Sequence, residues 1–308
     1  MEKYKYIFGP IPSRRMGLSL GISPIPKKYC NYSCTYCQLG RTDHLINKRD
    51  EYFKLEDIIE EFKQYLNEFN NFDVVTVVGE GEPTLYSKLG ELITELKKLT
   101  DKPVAVITNS ALMSDPDVRE DLKKADIVLP SLDAHNEDLF RKINRAPRSI
   151  KLANIIDGLR IFSKEYTGQL WLEIMIMKGI NDTALDFKEY KKILDTLTYN
   201  RVYINSPVRP PAEDYVTEPS KEALMDAEKI LGGSSIEEFS SQSFHSEAKD
   251  DYEAILSIIA RHPMNQFEVK SFMQSRGKEN YRDILERLDN DASVDVVNYK
   301  NYISYRLK

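Results

Sequence analysis

Every cysteine of this 308-residue chain lies in one short stretch, "YCNYSCTYCQLG" (29–40). Cys30, Cys34 and Cys37 follow the spacing C-x3-C-x2-C, and polar and aromatic residues separate them. Cysteines that serve only as small apolar side chains are scattered through a core, whereas thiols clustered in one loop are typical of metal sites. The cluster therefore predicts a metal site, and simple packing is the less favoured alternative.

The number of available ligands distinguishes the candidate metals. A structural zinc ion is held by four protein ligands, and this chain has no second C-x2-C pair. Its histidines have no standard ligand spacing and stand at His44, His135, His245 and His262. A [4Fe–4S] cluster usually has four cysteine ligands, so three would leave one iron open to another molecule. We favour the cluster and keep zinc as the alternative.

The same loop resembles the signature of the radical S-adenosylmethionine (radical SAM) superfamily, because Tyr36 precedes the last cysteine of the motif. The resemblance implies that Cys30, Cys34 and Cys37 hold a [4Fe–4S] cluster whose open iron is chelated by S-adenosylmethionine (SAM). It also implies reductive cleavage of SAM to methionine and a 5′-deoxyadenosyl radical, which takes a hydrogen atom from substrate. A one-electron reductant such as flavodoxin or ferredoxin is the implied partner.

A second motif, "VVGEGEPTL" (77–85), follows a predicted strand. It resembles the Gly-Gly-Glu segment with which the superfamily binds the SAM amino group. Glycine lets the backbone approach a ligand closely, and a carboxylate complements an ammonium group. The resemblance implies that Gly79, Gly81 and Glu82 seat SAM. Glu80 departs from the usual pattern, and we favour Glu82 over Glu80 as the SAM contact.

Polar residues also follow or lie in the later predicted strands. By resemblance, these positions contact the SAM ribose, the methionine carboxylate or the substrate, and Tyr36 joins them as a cofactor-binding residue. Their side chains should converge on one cavity, because the carboxyl ends of parallel strands meet at one edge. The alternative for each is ordinary turn chemistry. The residues are Asn109, Ser131, Asp133 and Glu173.

Three arginines are candidates for substrate contact. Arg14 and Arg15 lead into the first predicted strand, and Arg209 lies between prolines after the last one. A guanidinium in such a place can hold a carboxylate or phosphate with two hydrogen bonds. The alternative is a surface or ion-paired arginine.

The wider resemblance covers about residues 8–215 and is to the wyosine-synthase-like branch of the superfamily. Its segments include "GPIPSRRMGLSLGISPIPKKYCNYSCTYCQLGRT", "GEGEPTL", "SLDA", "INR" and "NSPVRPP". The wyosine enzyme carries extra cysteines for a second cluster, and this chain has none to spare. The substrate therefore stays open between a small molecule, a peptide and tRNA.

Short β-branched runs alternate with amphipathic helical patterns, which predicts right-handed βαβ units and a parallel sheet. The predicted strands are 17–22, 73–78, 104–108, 126–131, 170–176 and 201–205. The predicted helices are 55–69, 86–99, 115–124, 136–144, 150–164, 184–197 and 220–230. Six such repeats predict an α/β fold, a partial (βα)6 TIM-like barrel.

The pattern changes after residue 230. We predict a radical SAM barrel over 1–230, a Gly-, Ser- and acid-rich linker over 231–249, and a small winged-helix-like α+β domain over 250–308. This last segment has nine Lys/Arg and ten Asp/Glu, so DNA is not an expected partner. The rival hypothesis is an iron–sulfur redox sensor with the winged helix as its effector.

The overall composition is that of a globular protein. The chain is 41% hydrophobic and 30% charged, with a net charge of -6. Its N-terminus has no apolar core of signal-peptide length, and no run is apolar enough to span a bilayer. We therefore expect a cytoplasmic protein without membrane association.

Overall fold

The computed structural model of this chain describes residues 4–13, 15–235, 244, 246, 248, 250–300 and 302–308. Arg14, predicted to contact substrate, lies outside the described residues. Most of the predicted linker lies outside them as well. The boundaries of the predicted domains stay a prediction.

Strands and helices alternate through the first three quarters of the chain. The strands are β1 (Ile7–Ser13), β2 (Gly17–Ile22), β3 (Tyr29–Cys30), β4 (His44–Leu45), β5 (Val74–Val77), β6 (Val104–Thr108), β7 (Ile127–Pro130), β8 (Gln169–Met175), β9 (Arg201–Asn205), β10 (Ser234–Ser235), β11 (Met264–Asn265), β12 (Val294–Tyr299) and β13 (Tyr302–Leu307). The helices are α1 (Leu55–Glu68), α2 (Leu89–Leu99), α3 (Pro116–Leu122), α4 (Glu137–Asn144), α5 (Leu152–Glu165), α6 (Ala184–Leu194), α7 (Lys221–Leu231), α8 (Asp251–Ile259), α9 (Gln266–Ser275) and α10 (Tyr281–Asn290).

The main sheet has the order β1-β2-β5-β6-β7-β8-β9-β10. All neighbours from β2 onward are parallel, and β1 pairs antiparallel with β2. The six predicted strands are confirmed as the parallel centre of this sheet, and the α/β partial-barrel fold is confirmed with them. The strands β1 and β10 were not predicted. They add one strand at each edge.

The helices cover the sheet through apolar faces, as amphipathic patterning requires. In α1, the residues Leu55, Ile58, Ile59, Phe62 and Tyr65 are buried. Helix α3 begins at Pro116, one residue after the predicted start, and the Asp115 side chain caps it by accepting a hydrogen bond from the Asp117 N–H at 2.9 Å. In the described part of the chain, every helix is too short or too polar to cross a bilayer.

The segment after residue 250 has a core of its own. Helices α8, α9 and α10 pack on a three-stranded sheet of order β11-β13-β12. Its buried side chains include Ile255, Phe272, Leu288 and Tyr305. Along the chain the order is α8, β11, α9, α10, β12 and β13, which is the α+β composition predicted for this segment. The winged-helix assignment itself stays a prediction.

Candidate functional site

The three cysteines lie in the long connection between β2 and α1, at the carboxyl end of the parallel strands. This connection is shaped by backbone hydrogen bonds. The Cys37 N–H donates to the Cys34 carbonyl at 3.2 Å, and the Gly40 N–H donates to the Cys37 carbonyl at 3.1 Å. The short β3–β4 ladder, which pairs Cys30 with Leu45, holds the start of the loop. All three thiols are thereby turned toward one space.

That space is a cavity of about 340 Å³, which we call the cysteine cavity. Its wall contains Cys30, Cys34 and Cys37, and most of the predicted site residues join them. They are Arg15, Tyr36, Gly79, Gly81, Glu82, Asn109, Ser131, Glu173 and Arg209. The predicted convergence of strand-end residues on one cavity is therefore observed for these positions, while their roles stay predictions.

Burial governs the protonation of the three thiols. Burial raises the pKa of Cys30 to about 12, with the Glu82 charge adding to the effect. Burial likewise raises the pKa of Cys34 and Cys37. Thiolates in such a place need a positive charge beside them, and iron supplies one. Three soft sulfurs supply three of the four ligands that a [4Fe–4S] cluster usually has, which leaves one iron open.

Two amide side chains lie against these sulfurs. The Asn109 Nδ2 group is 3.5 Å from the Cys30 Sγ atom, and the Asn144 Nδ2 group is 3.4 Å from the Cys34 Sγ atom. Donors of this kind orient metal ligands and tune a bound cluster. Within the described residues, no three His, Cys, Asp or Glu side chains are placed to hold a single metal ion. Cysteine ligands of a cluster bind different irons, so they need not converge on one point.

Glu82 fixes the loop after β5. Its buried carboxylate accepts hydrogen bonds from the Thr84 N–H at 3.0 Å, the Thr84 hydroxyl at 2.5 Å, the Thr108 hydroxyl at 2.6 Å and the Asn109 N–H at 2.7 Å. Burial raises the pKa of Glu82, and these bonds oppose that rise. The predicted SAM contact is thus also the residue that ties the ends of β5 and β6 together.

Gly81 lets the glycine loop contact the cysteine loop. A Cβ atom at this position would lie 1.8 Å from the Tyr29 carbonyl oxygen. The neighbouring Glu82 N–H donates to the same oxygen at 3.1 Å. The two motifs singled out in the sequence are therefore in direct backbone contact, 52 residues apart along the chain.

Asp133 lies beneath the cysteine cavity. Its carboxylate accepts hydrogen bonds from the Tyr36 hydroxyl, from the Asn144 side chain at 3.1 Å and from the Met175 N–H at 3.1 Å. Burial raises the pKa of Asp133 and of Tyr36. The observed contacts of Asp133 are with protein groups, and they position Tyr36. Its predicted contact with the cofactor stays a prediction.

Two of the three predicted substrate arginines, Arg15 and Arg209, have partners within the chain. Arg15 forms an ion pair with Glu173. Arg209 holds the Glu268 carboxylate of α9 with two hydrogen bonds of 2.9 Å. The bidentate carboxylate geometry expected of Arg209 is therefore present, with Glu268 as its partner.

Sequence reasoning did not assign roles to Asn144, Arg261 or Glu268. Asn144 lies in the "INR" segment, which the family resemblance had marked. Nothing in the sequence pattern placed Arg261 or Glu268 at the barrel, because their contacts depend on how the last segment packs.

The chain is similar to several known proteins in sequence and in fold. UPF0026 protein MJ1312 of Methanocaldococcus jannaschii is 34% identical over 308 aligned residues, covering 97% of this chain and 94% of that protein. The GTPase Obg of Brachyspira hyodysenteriae is 36% identical over 85% of this chain, but the match covers 39% of that protein. The structure of TYW1 with a lysine-pyruvate adduct is 20% identical, with a TM-score of 0.53 over 70% of this chain and 74% of that one. This last likeness concerns the fold.

The chain also matches the radical SAM superfamily over residues 25–190, which is more than half of its length. The match begins before the cysteine loop and ends in α6. Members of the superfamily are enzymes that use SAM and an iron–sulfur cluster. The strand order and the cavity lined by three thiols agree with it, and this chain belongs to the radical SAM superfamily.

Proposed function

We propose that this enzyme cleaves SAM reductively at a [4Fe–4S] cluster held by Cys30, Cys34 and Cys37. The cofactor chemistry takes one electron, releases methionine and forms a 5′-deoxyadenosyl radical, which becomes 5′-deoxyadenosine on taking a hydrogen atom from substrate. The observation that carries the proposal is the cysteine cavity, where all three thiols face the glycine loop across one space.

The chain's own groups would seat and shield the reactants. Gly79 and Gly81 bring backbone close to the space beside the thiols, and Glu82 offers a carboxylate to the SAM ammonium group. Asn109 and Ser131 line the same wall and present polar groups at the ends of β6 and β7. The barrel strands behind them are buried, which excludes water from a reactive radical.

Cations beside the cysteine loop favour an acidic electron carrier, for which flavodoxin or ferredoxin is our candidate. Arg41 follows the loop, and 70% of its side chain is exposed. Arg145 and Lys28 lie beside it, and these three cations share two paired carboxylates, those of Glu213 and Asp43, which leaves an excess of one positive charge. Attraction between unlike charges speeds encounter and weakens with salt. Electron transfer from reduced flavodoxin should therefore slow as ionic strength rises, and Arg41→Glu should slow it at low salt. A rate that neither change alters would contradict this docking face.

The test of the reaction is anaerobic. The protein is reconstituted with iron and sulfide, given SAM and dithionite, and assayed for 5′-deoxyadenosine. The matched control is Cys34→Ala, with Ser87→Ala as an exposed substitution outside the site. We expect product from the wild type and from Ser87→Ala, and none from Cys34→Ala. An intact cluster with no SAM-induced change in its electron paramagnetic resonance spectrum would overturn the proposal and favour the sensor.

The tRNA alternative is tested in the same preparation. A salt-sensitive complex with unfractionated tRNA that raises the yield of 5′-deoxyadenosine would favour tRNA modification. Absence of both effects would favour a small molecule.

A further inference from the structure

A second cavity of about 530 Å³ lies between the barrel and the segment after residue 250; we call it the terminal chamber. Its barrel wall includes Phe8, Arg15 and Glu80, and its other wall includes Arg261, Asn265 and Glu268. Cavities of 300–1,000 Å³ are typical of sites for small molecules. No residue of the second wall has a role in the function proposed above.

The terminal chamber adjoins the cysteine cavity. Gly79, Glu80 and Arg209 line both spaces. A molecule in the chamber would therefore lie beside the loop predicted to seat SAM. A hydrogen donor for the radical must lie close to SAM, so the inference rests on the proposed function and names its substrate class.

Two arginine–glutamate pairs join the walls of the chamber. In one pair the arginine belongs to the terminal segment, and in the other it belongs to the barrel. Arg261 reaches from the terminal segment to Glu80 of the barrel at 3.3 Å, and both side chains are largely buried. Arg209 reaches from the barrel to Glu268 of the terminal segment. Arg15 lines both spaces and is paired with Glu173, which lines the cysteine cavity. Charges of both signs therefore face the chamber, and each has a partner.

These pairs restrict the charge of a ligand. A simple anion that displaced a glutamate from its arginine would leave a buried carboxylate uncompensated, and breaking one side of a buried pair costs about 3–5 kcal/mol. A simple cation that displaced an arginine from its glutamate would leave the guanidinium charge buried and uncompensated. A zwitterion can exchange both partners at once, with its carboxylate on the guanidinium and its ammonium on the glutamate.

The rest of the wall is apolar or aromatic. Phe8, Met16, Ile107, Phe244 and Phe267 line the chamber. Such a surface gains free energy by covering the hydrophobic part of a ligand. We propose that the terminal chamber binds a small zwitterion with an apolar or aromatic side chain, of the amino-acid class, as the substrate of the radical.

Size and charge both favour this class over folded RNA. The chamber is walled on two sides by protein, and its terminal side belongs to a segment with nine Lys/Arg and ten Asp/Glu. Binding of nucleic acid uses a surplus of cations along an open surface.

The test measures binding by titration calorimetry on the anaerobic protein with cluster and SAM but no reductant. The probes are phenylalanine, tyrosine and leucine, with phenethylamine, 3-phenylpropionate and unfractionated tRNA as comparisons. We expect at least one zwitterion to bind about tenfold or more tightly than either singly charged analogue. Binding of no zwitterion, equal binding of 3-phenylpropionate, or binding of tRNA alone would each overturn the proposal.

The Glu268→Gln variant is expected to gain binding of one ligand, which a misfolded protein would not do. The amide keeps the size of the side chain but removes its charge, so the Arg209 guanidinium loses its ionic partner while it keeps its hydrogen bond to the Pro263 carbonyl. We expect 3-phenylpropionate to bind more tightly than in the wild type, and the preference for a zwitterion to shrink. The matched control is Glu286→Gln, at an exposed position of α10, which should bind as the wild type does. An unchanged preference in Glu268→Gln would contradict the chamber assignment.

These measurements need no turnover. Zwitterion binding without SAM cleavage would refute the proposed function alone. Cleavage of SAM without zwitterion binding would refute the chamber assignment alone.

Discussion

At the scale of single residues, the Glu82 carboxylate has two roles to fill: it anchors the loop after β5, and it is the group proposed to contact the SAM ammonium. It is 1% exposed, so its charge depends on hydrogen bonds within the protein. Its Oε1 atom accepts from Thr84 and Thr108, and its Oε2 atom accepts from the Asn109 N–H. An ionised carboxylate has about four lone-pair directions, and the Oε2 atom accepts one hydrogen bond within the described part of the chain. The same side chain can therefore hold the loop and meet an ammonium group.

Glu82→Gln tests the first of these roles. The amide group would turn an N–H donor toward groups that also donate, so we expect the free energy of unfolding to fall by about 1–3 kcal/mol. Urea unfolding followed by circular dichroism measures this change. The control is Glu91→Gln on α2, where the carboxylate is exposed and paired with Lys88, and the expected change is near zero. Equal stability of the two variants would contradict a buried anchoring role for Glu82.

At the scale of elements, the site depends on contact between the loop after β2 and the loop after β5. Gly81 permits this contact because its hydrogen lies where a larger side chain would meet the Tyr29 carbonyl. Gly79 is less confined, and a Cβ atom there would lie 3.1 Å or more from its neighbours. A methyl group at Gly81 would therefore clash with backbone, whereas one at Gly79 would require only a small shift of its neighbours.

Gly81→Ala should separate the two loops and lower the iron content of the reconstituted protein. The added methyl group cannot avoid backbone without moving Cys30, which directly follows Tyr29. Iron and sulfide analysis per chain, with Gly79→Ala as the comparison, measures the effect. We expect a marked loss in Gly81→Ala and a smaller one in Gly79→Ala. The reverse order would mean that the contact does not position the cysteines.

A cluster of charges holds the cysteine loop from the other side. Glu213 accepts hydrogen bonds from Arg41 at 2.8 and 3.0 Å and from Arg145 at 2.5 Å, and its N–H donates to the Thr35 carbonyl. The two guanidinium groups lower the pKa of Glu213 to about 2 from an ordinary 4.5. The stabilisation is therefore present above pH 4.5 and is lost as the pH falls toward 2.

Glu213→Gln should accordingly cost stability at pH 7 and much less at pH 3. The expected loss at pH 7 is roughly 1–2 kcal/mol, because solvent screens the exposed Arg41. Denaturant unfolding of both proteins across this pH range gives the difference. A loss that stays constant with pH would assign the effect to packing and not to charge.

The sequence predicted those elements whose local pattern agrees with their final surroundings. The strands β5, β6 and β7 are short β-branched runs between helices, and their burial on both faces makes them easy to recognise. Strand β1 was missed because Gly9, Pro10 and Pro12 interrupt its sequence, and such residues suit only an edge. The cysteine and glycine loops were found because their chemistry is local. The pairing of Glu80 with Arg261 joins residues 181 positions apart, and no local pattern contains it.

At the scale of the whole molecule, the barrel and the last segment have separate apolar cores. The barrel core includes Phe62, and the core of the last segment includes Phe272. Between them, many of the observed contacts are polar, such as the Lys27 ammonium on the Leu307 and Lys308 carbonyls and the Tyr299 hydroxyl on the Pro207 carbonyl. Polar contacts of this kind resemble those between domains.

This division predicts that the two cores lose protection separately. Phe272→Ala removes a buried ring, which costs about 3–5 kcal/mol where it packs, and hydrogen exchange should quicken in residues 250–300 before it does in α1. Phe62→Ala, at a buried position of α1, should quicken exchange in the barrel by a similar amount. Exchange that quickens throughout the chain in both variants would mean one cooperative unit. The walls of the terminal chamber could then not move apart without unfolding the barrel, and a ligand would have to enter through the existing opening.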